Sequence, residues 1–103
     1  MFFGFNKSEL SPQALATIRQ AVGAVRESGS AAIRVVGHAD RAGSIAYNKA
    51  LSLHRAKSVQ KALIAEGIAA EAISISGRGE SEPLVPTADG VREAQNRRVH
   101  ISF

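Results

Sequence analysis

Two residues of opposite charge carry the chemistry that the sequence offers: the carboxylate of Asp40 and the guanidinium of Arg55, both in the stretch GHADRAGSIAYNKALSLHR at residues 37–55. The stretch leaves an apolar run, crosses a polar turn and enters a helical pattern, so the two groups are expected at one end of the fold. Asn48 and Ser52 recur with Arg55 at spacings of three and four, in register with Leu51, Val59 and Leu63. At about 100° per residue these positions share one helix face, while Lys49, Lys57 and Lys61 lie on the other. Polar groups inside an apolar stripe need partners, because a buried guanidinium without one costs several kcal/mol. Two readings follow. In one, Arg55 pairs internally with Asp40 or Glu80, and Asn48 caps loop backbone. In the other, these groups line a cleft. A carboxylate that accepts from an ammonium, beside a guanidinium fork that takes a carboxylate, suits a zwitterion such as an amino-acid head group.

The elements that must position these groups follow from periodicity and punctuation. Residues 2–5 form a short aromatic run that reads as a strand. Ser11-Pro12 reads as an N-cap with proline in the first helical position, and Leu15, Ile18, Val22 and Val25 continue as one apolar stripe up to Gly29. Residues 32–37 are β-branched and closed by Gly37, which predicts a second strand, parallel to the first though not necessarily its neighbour. A long helix is expected over 44–66, stopped by Gly67. Residues 73–77 alternate as a third strand. Residues 77–90, with three glycines and two prolines, read as a long ordered loop, and 91–96 as a helical turn. Residues 98–103 form a period-two strand with Val99, Ile101 and Phe103 on one face.

The fold class expected is α+β: a β-α-β-α-β-β sandwich with a mixed four-stranded sheet and two main helices on one face. Strand ends then gather the polar residues. Asn6 follows the first strand and Asp40 the second, at the carboxyl edge where open α/β sheets bind ligands. Arg97 starts the last strand and, if that strand is antiparallel, reaches the same edge. Asn6, Asp40, Asn48, Arg55 and Arg97 are the candidate ligand-binding residues.

Composition bounds the alternatives. The chain has 103 residues, enough for one domain with a modest core, and with 45% apolar but 5% aromatic residues that core must be aliphatic. Cysteine is absent, which removes disulfides and Cys-based zinc sites. No run approaches the roughly 20 apolar residues of a membrane span, and the N-terminus lacks the regions of a signal peptide. The net charge of +4 and pI near 10.1 suit an acidic partner, but the basic residues are scattered. Nucleic acid is disfavoured by the lack of stacking aromatics and of a basic recognition helix. A hydrolase is disfavoured because His38, His54 and His100 have no nucleophile elbow to serve. No pair of histidines stands at helical zinc-site spacing, and GRGESE at 77–82 lacks the third glycine of a dinucleotide fingerprint. The reading is a binding module without catalysis, metal or cofactor.

The motif G-H-x-D-x-x-G-x-x-x-Y-N-x-x-L-S-x-x-R-A at residues 37–56, followed by NRRV at 96–99, resembles the peptidoglycan-binding OmpA-like C-terminal domain. That family includes outer-membrane porin-type proteins, peptidoglycan-associated lipoproteins and flagellar stator proteins. The resemblance covers nearly the whole chain, and Leu51-Ser52 is closer to the porin-type branch. It implies that Asp40 and Arg55 hold the diaminopimelate side chain of the peptidoglycan stem peptide, with Asn48 and Arg97 at the pocket. At Asn6 and Gly4 relatives often carry aspartate, and these two departures bear on affinity while leaving the central pair in place. The resemblance also implies anchoring of the outer membrane or an envelope protein to the cell wall. The domain would be periplasmic, part of a longer protein tethered to the membrane through an N-terminal region, and compatible with a homodimer. Diaminopimelate carries an amine and a carboxylate on one distal carbon; lysine in that position lacks the carboxylate, which gives a basis for discrimination. The competing reading is a structural or oligomerisation module in which Asp40 and Arg55 form an internal ion pair.

Overall fold

The structure, a computed structural model, describes residues 1–4, 7–29, 32–81, 85–88 and 90–103. Helix α1 (Pro12–Ser28) begins where the sequence predicts. Ser11 is extended, its hydroxyl accepts from the Ala14 N–H at 3.0 Å, and proline fills the first turn. It ends at Gly29, whose φ of 68° is the left-handed conformation that glycine adopts without a Cβ penalty. Strand β1 (Ile33–Gly37) leads through the turn to α2 (Ile45–Ala65), where Ser44 repeats the N-cap by accepting from the Tyr47 N–H at 3.1 Å. A short 3-10 turn (Ala70–Ala72) precedes β2 (Ile73–Gly77); a second (Ala94–Asn96) precedes β3 (Val99–Ser102).

The sheet order is β2-β1-β3, with β2 parallel and β3 antiparallel to β1. The mixed sheet agrees with expectation, and the last strand is antiparallel, the condition on which Arg97 reaches the carboxyl edge, but the described residues form three strands, not four. The N-terminal run is joined by an isolated bridge between Phe2 and Arg98, with the Phe3 N–H donating to Arg97 at 2.7 Å and Val99 N–H donating to Met1 at 2.9 Å. Among the described residues this pairing ties the segment to the sheet edge without building a ladder.

Both helices lie on one face. Ile18, Val22 and Val25 of α1, Ala56, Val59 and Leu63 of α2, and Ile33, Val35, Ile73 and Val99 of the sheet make one buried cluster that includes Phe3. It is aliphatic but for that ring. Each of its valine, leucine, isoleucine and phenylalanine side chains contributes about 1.5–3 kcal/mol by leaving water. Leu15 is only half-buried, and Ala14 takes its place in the inner stripe of α1.

Two glycines set how close α2 lies. Gly37 and Gly77 are register partners at the ends of β1 and β2. A Cβ on Gly37 would collide with the Ser52 carbonyl oxygen, and one on Gly77 would stand 2.7 Å from both the Leu53 nitrogen and Ser52 Oγ. The helix backbone therefore rests directly on the strand ends, and this brings its polar positions over the carboxyl edge of the sheet. No helix of the described residues is long and apolar enough to cross a membrane.

Candidate functional site

The chain beyond β1 stays paired as it turns. His38 N–H donates to Arg98 at 2.8 Å, Ala39 N–H to Gly79 at 2.9 Å, and Arg78 N–H to Gly37 at 2.9 Å. Asp40 is thus carried past the ends of both parallel strands. It is 4% exposed. Its Oδ1 accepts from the Ala42 N–H two residues on, at 3.2 Å, which is the local turn that aspartate favours. Its Oδ2 accepts from the Glu93 N–H at 3.1 Å and from Arg97 Nη1 at 3.0 Å. Arg97, arriving just before β3, also donates from Nε to the Phe3 carbonyl at 2.9 Å.

Arg55 is fully buried. Its planar fork spans three backbone carbonyls: Nε donates to Lys7 at 2.8 Å, Nη1 to His38 at 3.0 Å and Nη2 to Gly4 at 3.1 Å. The guanidinium also lies 5.4 Å from the centre of the Phe3 ring. Burial pushes its pKa down to about 10; the nearby Asp40 carboxylate opposes that, and the Arg97 charge adds to it. It is therefore cationic at neutral pH. The helix-face argument for Asn48, Ser52 and Arg55 holds, since all three are buried with Ala56, Val59 and Leu63. The internal pairing differs from either expected form. Asp40 bonds Arg97 directly and acts on Arg55 through space, while Arg55 binds carbonyls.

Of the five candidates, Asp40, Arg55 and Arg97 converge. Asn48 stands one step away, with its Nδ2 3.5 Å from Glu80 Oε1, in the neighbouring network rather than on Asp40. Asn6 lies outside the described residues. His38 is buried in a structural setting: its carbonyl takes Arg55, and its ring meets His100 edge-on, with centroids 5.5 Å apart.

Sequence reasoning missed two features. The carbonyls of Gly4, Lys7 and His38 that receive Arg55 have no side-chain signal at all. Arg41 binds Glu80 at 2.9 Å and the Thr87 carbonyl at 3.2 Å, and its position beside Asp40 was the available clue. No cluster of metal-ligating side chains occurs among the described residues.

Two helices over a mixed sheet, with a buried carboxylate set between two guanidiniums beyond the strand ends, define a class of small α+β domain. The chain belongs to the OmpA family, whose model matches residues 2–97. It is 40% identical over 109 aligned residues to outer membrane protein P5 of Haemophilus influenzae, covering 97% of this chain and 31% of that protein. To outer membrane protein A of Escherichia coli O157:H7 it is 38% identical over 112 residues, covering 98% of this chain and 32% of that one. The crystal structure of the peptidoglycan-associated lipoprotein from Burkholderia pseudomallei superposes with a TM-score of 0.86 at 27% identity, covering 97% of this chain and 85% of that chain. The chain spans about a third of the length of the curated relatives it matches.

Proposed function

We propose that this domain binds peptidoglycan non-covalently through the diaminopimelate of the stem peptide, and so anchors an envelope protein, periplasmic in its location, to the cell wall. The observation that carries the reading is the juxtaposition of Asp40 with Arg97 and Arg55 at the carboxyl edge, in a chain whose family relatives include a peptidoglycan-associated lipoprotein.

The roles follow from donor and acceptor counts. A carboxylate offers about four lone-pair sites, and three N–H donors occupy Asp40, so one acceptor position is left for a ligand ammonium. Arg97 has committed Nε and one hydrogen of Nη1, and its side chain retains 14% exposure, so its fork turns the remaining N–H groups to the ligand carboxylate. Arg55 stands behind. It adds a second positive charge and holds the carbonyls that frame the site. A lysine-type stem peptide has no distal carboxylate for this pair and leaves the cationic side unmatched. The proposed activity is binding, with no reaction.

One observation favours the competing structural reading. The donors and acceptors of the cluster are largely satisfied within the chain, as in a module that uses its ions to hold loops together. Co-sedimentation with insoluble peptidoglycan separates the two. The native domain is expected to pellet with diaminopimelate-type material and much less with lysine-type material. Asp40→Ala and Arg97→Ala, each checked for folding by circular dichroism, are expected to stay in the supernatant. A native domain that remains soluble with both sacculi refutes the binding function and leaves the structural module.

A further inference from the structure

Helix α2 carries no acidic residue in its 21 positions, and its cations differ in setting. Arg55 is buried against carbonyls, and Lys49 lines a cleft that also holds Glu80. His54, Lys57 and Lys61 stand exposed on the outer face. Their spacings of three and four make them neighbours on the helix surface. With Ser8 and Ser58 they line a groove of about 240 Å³. That is smaller than the pockets of drug-sized ligands and on the scale of a small anion. Among the described residues, none of the three basic side chains makes an ion pair or a hydrogen bond. The residues outside the described set that come closest to this lining in the chain, Phe5 and Asn6, are uncharged types.

We propose that this groove binds a phosphate monoester group, carried on a small soluble molecule or on a lipid headgroup. The site is independent of the peptidoglycan reading. Lys57 and Lys61 are like charges at i, i+4, a pairing that is destabilising on its own and that an anion between them relieves. The acids nearest in the chain do not supply that anion. Glu9, beside Ser8, is exposed and outside the lining, and Glu66 is bound by Arg19 at 3.1 Å. The type of cation selects phosphate over carboxylate. No arginine lines the groove to match a carboxylate with its fork, whereas ammoniums act as point charges that serve a phosphate. A phosphate monoester carries a charge of about −1.5 to −2 at neutral pH, which two lysines balance. Ser8 adds a hydroxyl donor with no partner among the described residues, and His54 adds a ring N–H. The backbone of both walls is fixed before a ligand arrives. Arg55 Nε donates to the Lys7 carbonyl, next to Ser8, at 2.8 Å, and Ser58 Oγ donates to the His54 carbonyl at 3.1 Å. The groove therefore lies beside the Asp40 cluster without sharing a side chain with it.

Two measurements on the whole chain test this. The first titrates the isotope-labelled domain with glycerol 3-phosphate, and with glutarate as a dicarboxylate of similar charge, at constant ionic strength. Saturable amide shifts at Ser8, His54, Lys57 and Lys61 are expected with glycerol 3-phosphate and weaker ones with glutarate. The double variant Lys57→Gln with Lys61→Gln, checked for folding by circular dichroism, is expected to weaken the binding by about fivefold or more, as for loss of an exposed ion pair at the upper end of its range. Lys49→Gln, which removes the same charge from another side of α2, is expected to leave it unchanged. Equal binding of glutarate, or equal weakening by Lys49→Gln, would overturn the site and leave only diffuse positive charge. The second measurement is co-sedimentation with phosphatidylcholine vesicles, with and without phosphatidic acid. Pelleting that requires phosphatidic acid and is lost in the double variant assigns the phosphate to a lipid headgroup. A native domain that stays in the supernatant with both vesicles while binding glycerol 3-phosphate assigns it to a soluble molecule. Neither binding nor pelleting, or pelleting that the double variant retains, overturns the assignment to this groove.

Discussion

Arg55 shows how one side chain can belong to a site and to the scaffold together. Its fork collects the carbonyls of Gly4, Lys7 and His38, which come from two separate segments of the chain. Arg55→Ala removes a charged donor from each of these carbonyls, of which the His38 bond is buried and the other two part-buried, and removes the ring contact with Phe3. A loss of about 3 kcal/mol or more in urea unfolding is expected, as for breaking other buried charged networks. Arg55→Lys keeps the charge, but one ammonium cannot span three carbonyls at this geometry, so a smaller loss is expected. An Arg55→Ala domain within about 1 kcal/mol of native would contradict this account, since an unsatisfied buried acceptor alone costs that much. His100 acts at the same scale with pH. Its Nε2 accepts from Arg98 Nε at 3.0 Å, which requires the neutral ring, and burial followed by the Arg98 charge lowers its pKa below the ordinary 6.5. The unfolded chain therefore takes up this proton first as pH falls. Its contribution to stability is present above about pH 6.5 and is lost below it. His100→Gln keeps an acceptor for Arg98 and removes the titration. Urea midpoints of this variant are expected to fall less than those of native protein between about pH 7 and 5.

Among the elements, glycine has opposite meanings in α1 and β1. Gly23 sits inside α1, and a Cβ there would meet nothing within 4 Å. Gly23→Ala is expected to stabilise the domain by about 0.5–1 kcal/mol, the helix-interior cost of glycine. Gly37→Ala would drive a methyl into the Ser52 carbonyl and lift α2 from the sheet. A destabilisation of about 1–3 kcal/mol or more is expected, as for overpacking of a close-fitted core. Thermal unfolding of the two variants should move in opposite directions, and a shift of the same sign would refute the close-contact account. The periodicity of α1 and the two serine N-caps were legible in the sequence because they are local: a hydroxyl reaches an N–H three residues on, whatever the rest of the chain does. The N-terminal run was read as a full strand because aromatic residues favour strands. Among the described residues its pairing is with Arg97, Arg98 and Val99, a tertiary contact across almost the whole chain that local sequence does not record.

For the molecule as a whole, ligand binding is linked to folding. A ligand bound only by the folded domain stabilises it by about 2.7 kcal/mol at a hundredfold excess over its dissociation constant. A diaminopimelate muropeptide is therefore expected to raise the unfolding temperature of the native domain, with no shift for a folded Asp40→Ala variant. A shift in Asp40→Ala equal to that of native protein would place the ligand elsewhere. The charge balance bears on this scale too. The proposed ammonium and carboxylate contacts are partly shielded, so their salt dependence should be shallower than that of phosphate-backbone binding.

By itself the sequence determined the class of fold, the helix boundaries, the aliphatic core and the edge of the sheet at which Asp40, Arg55 and Arg97 gather. These depend on periodicity, on capping side chains and on strand direction, all written in neighbouring residues. Only the tertiary structure decided which charges touch. Asp40 bonds Arg97 rather than Arg55, Arg55 turns to carbonyls, and Asn48 faces Glu80. Partner choice inside a cluster of several compatible groups depends on ångström-scale distances set by the packing of α2 against Gly37 and Gly77. Residue types alone do not encode those distances, and backbone carbonyls, the acceptors that hold Arg55, are the same in every residue.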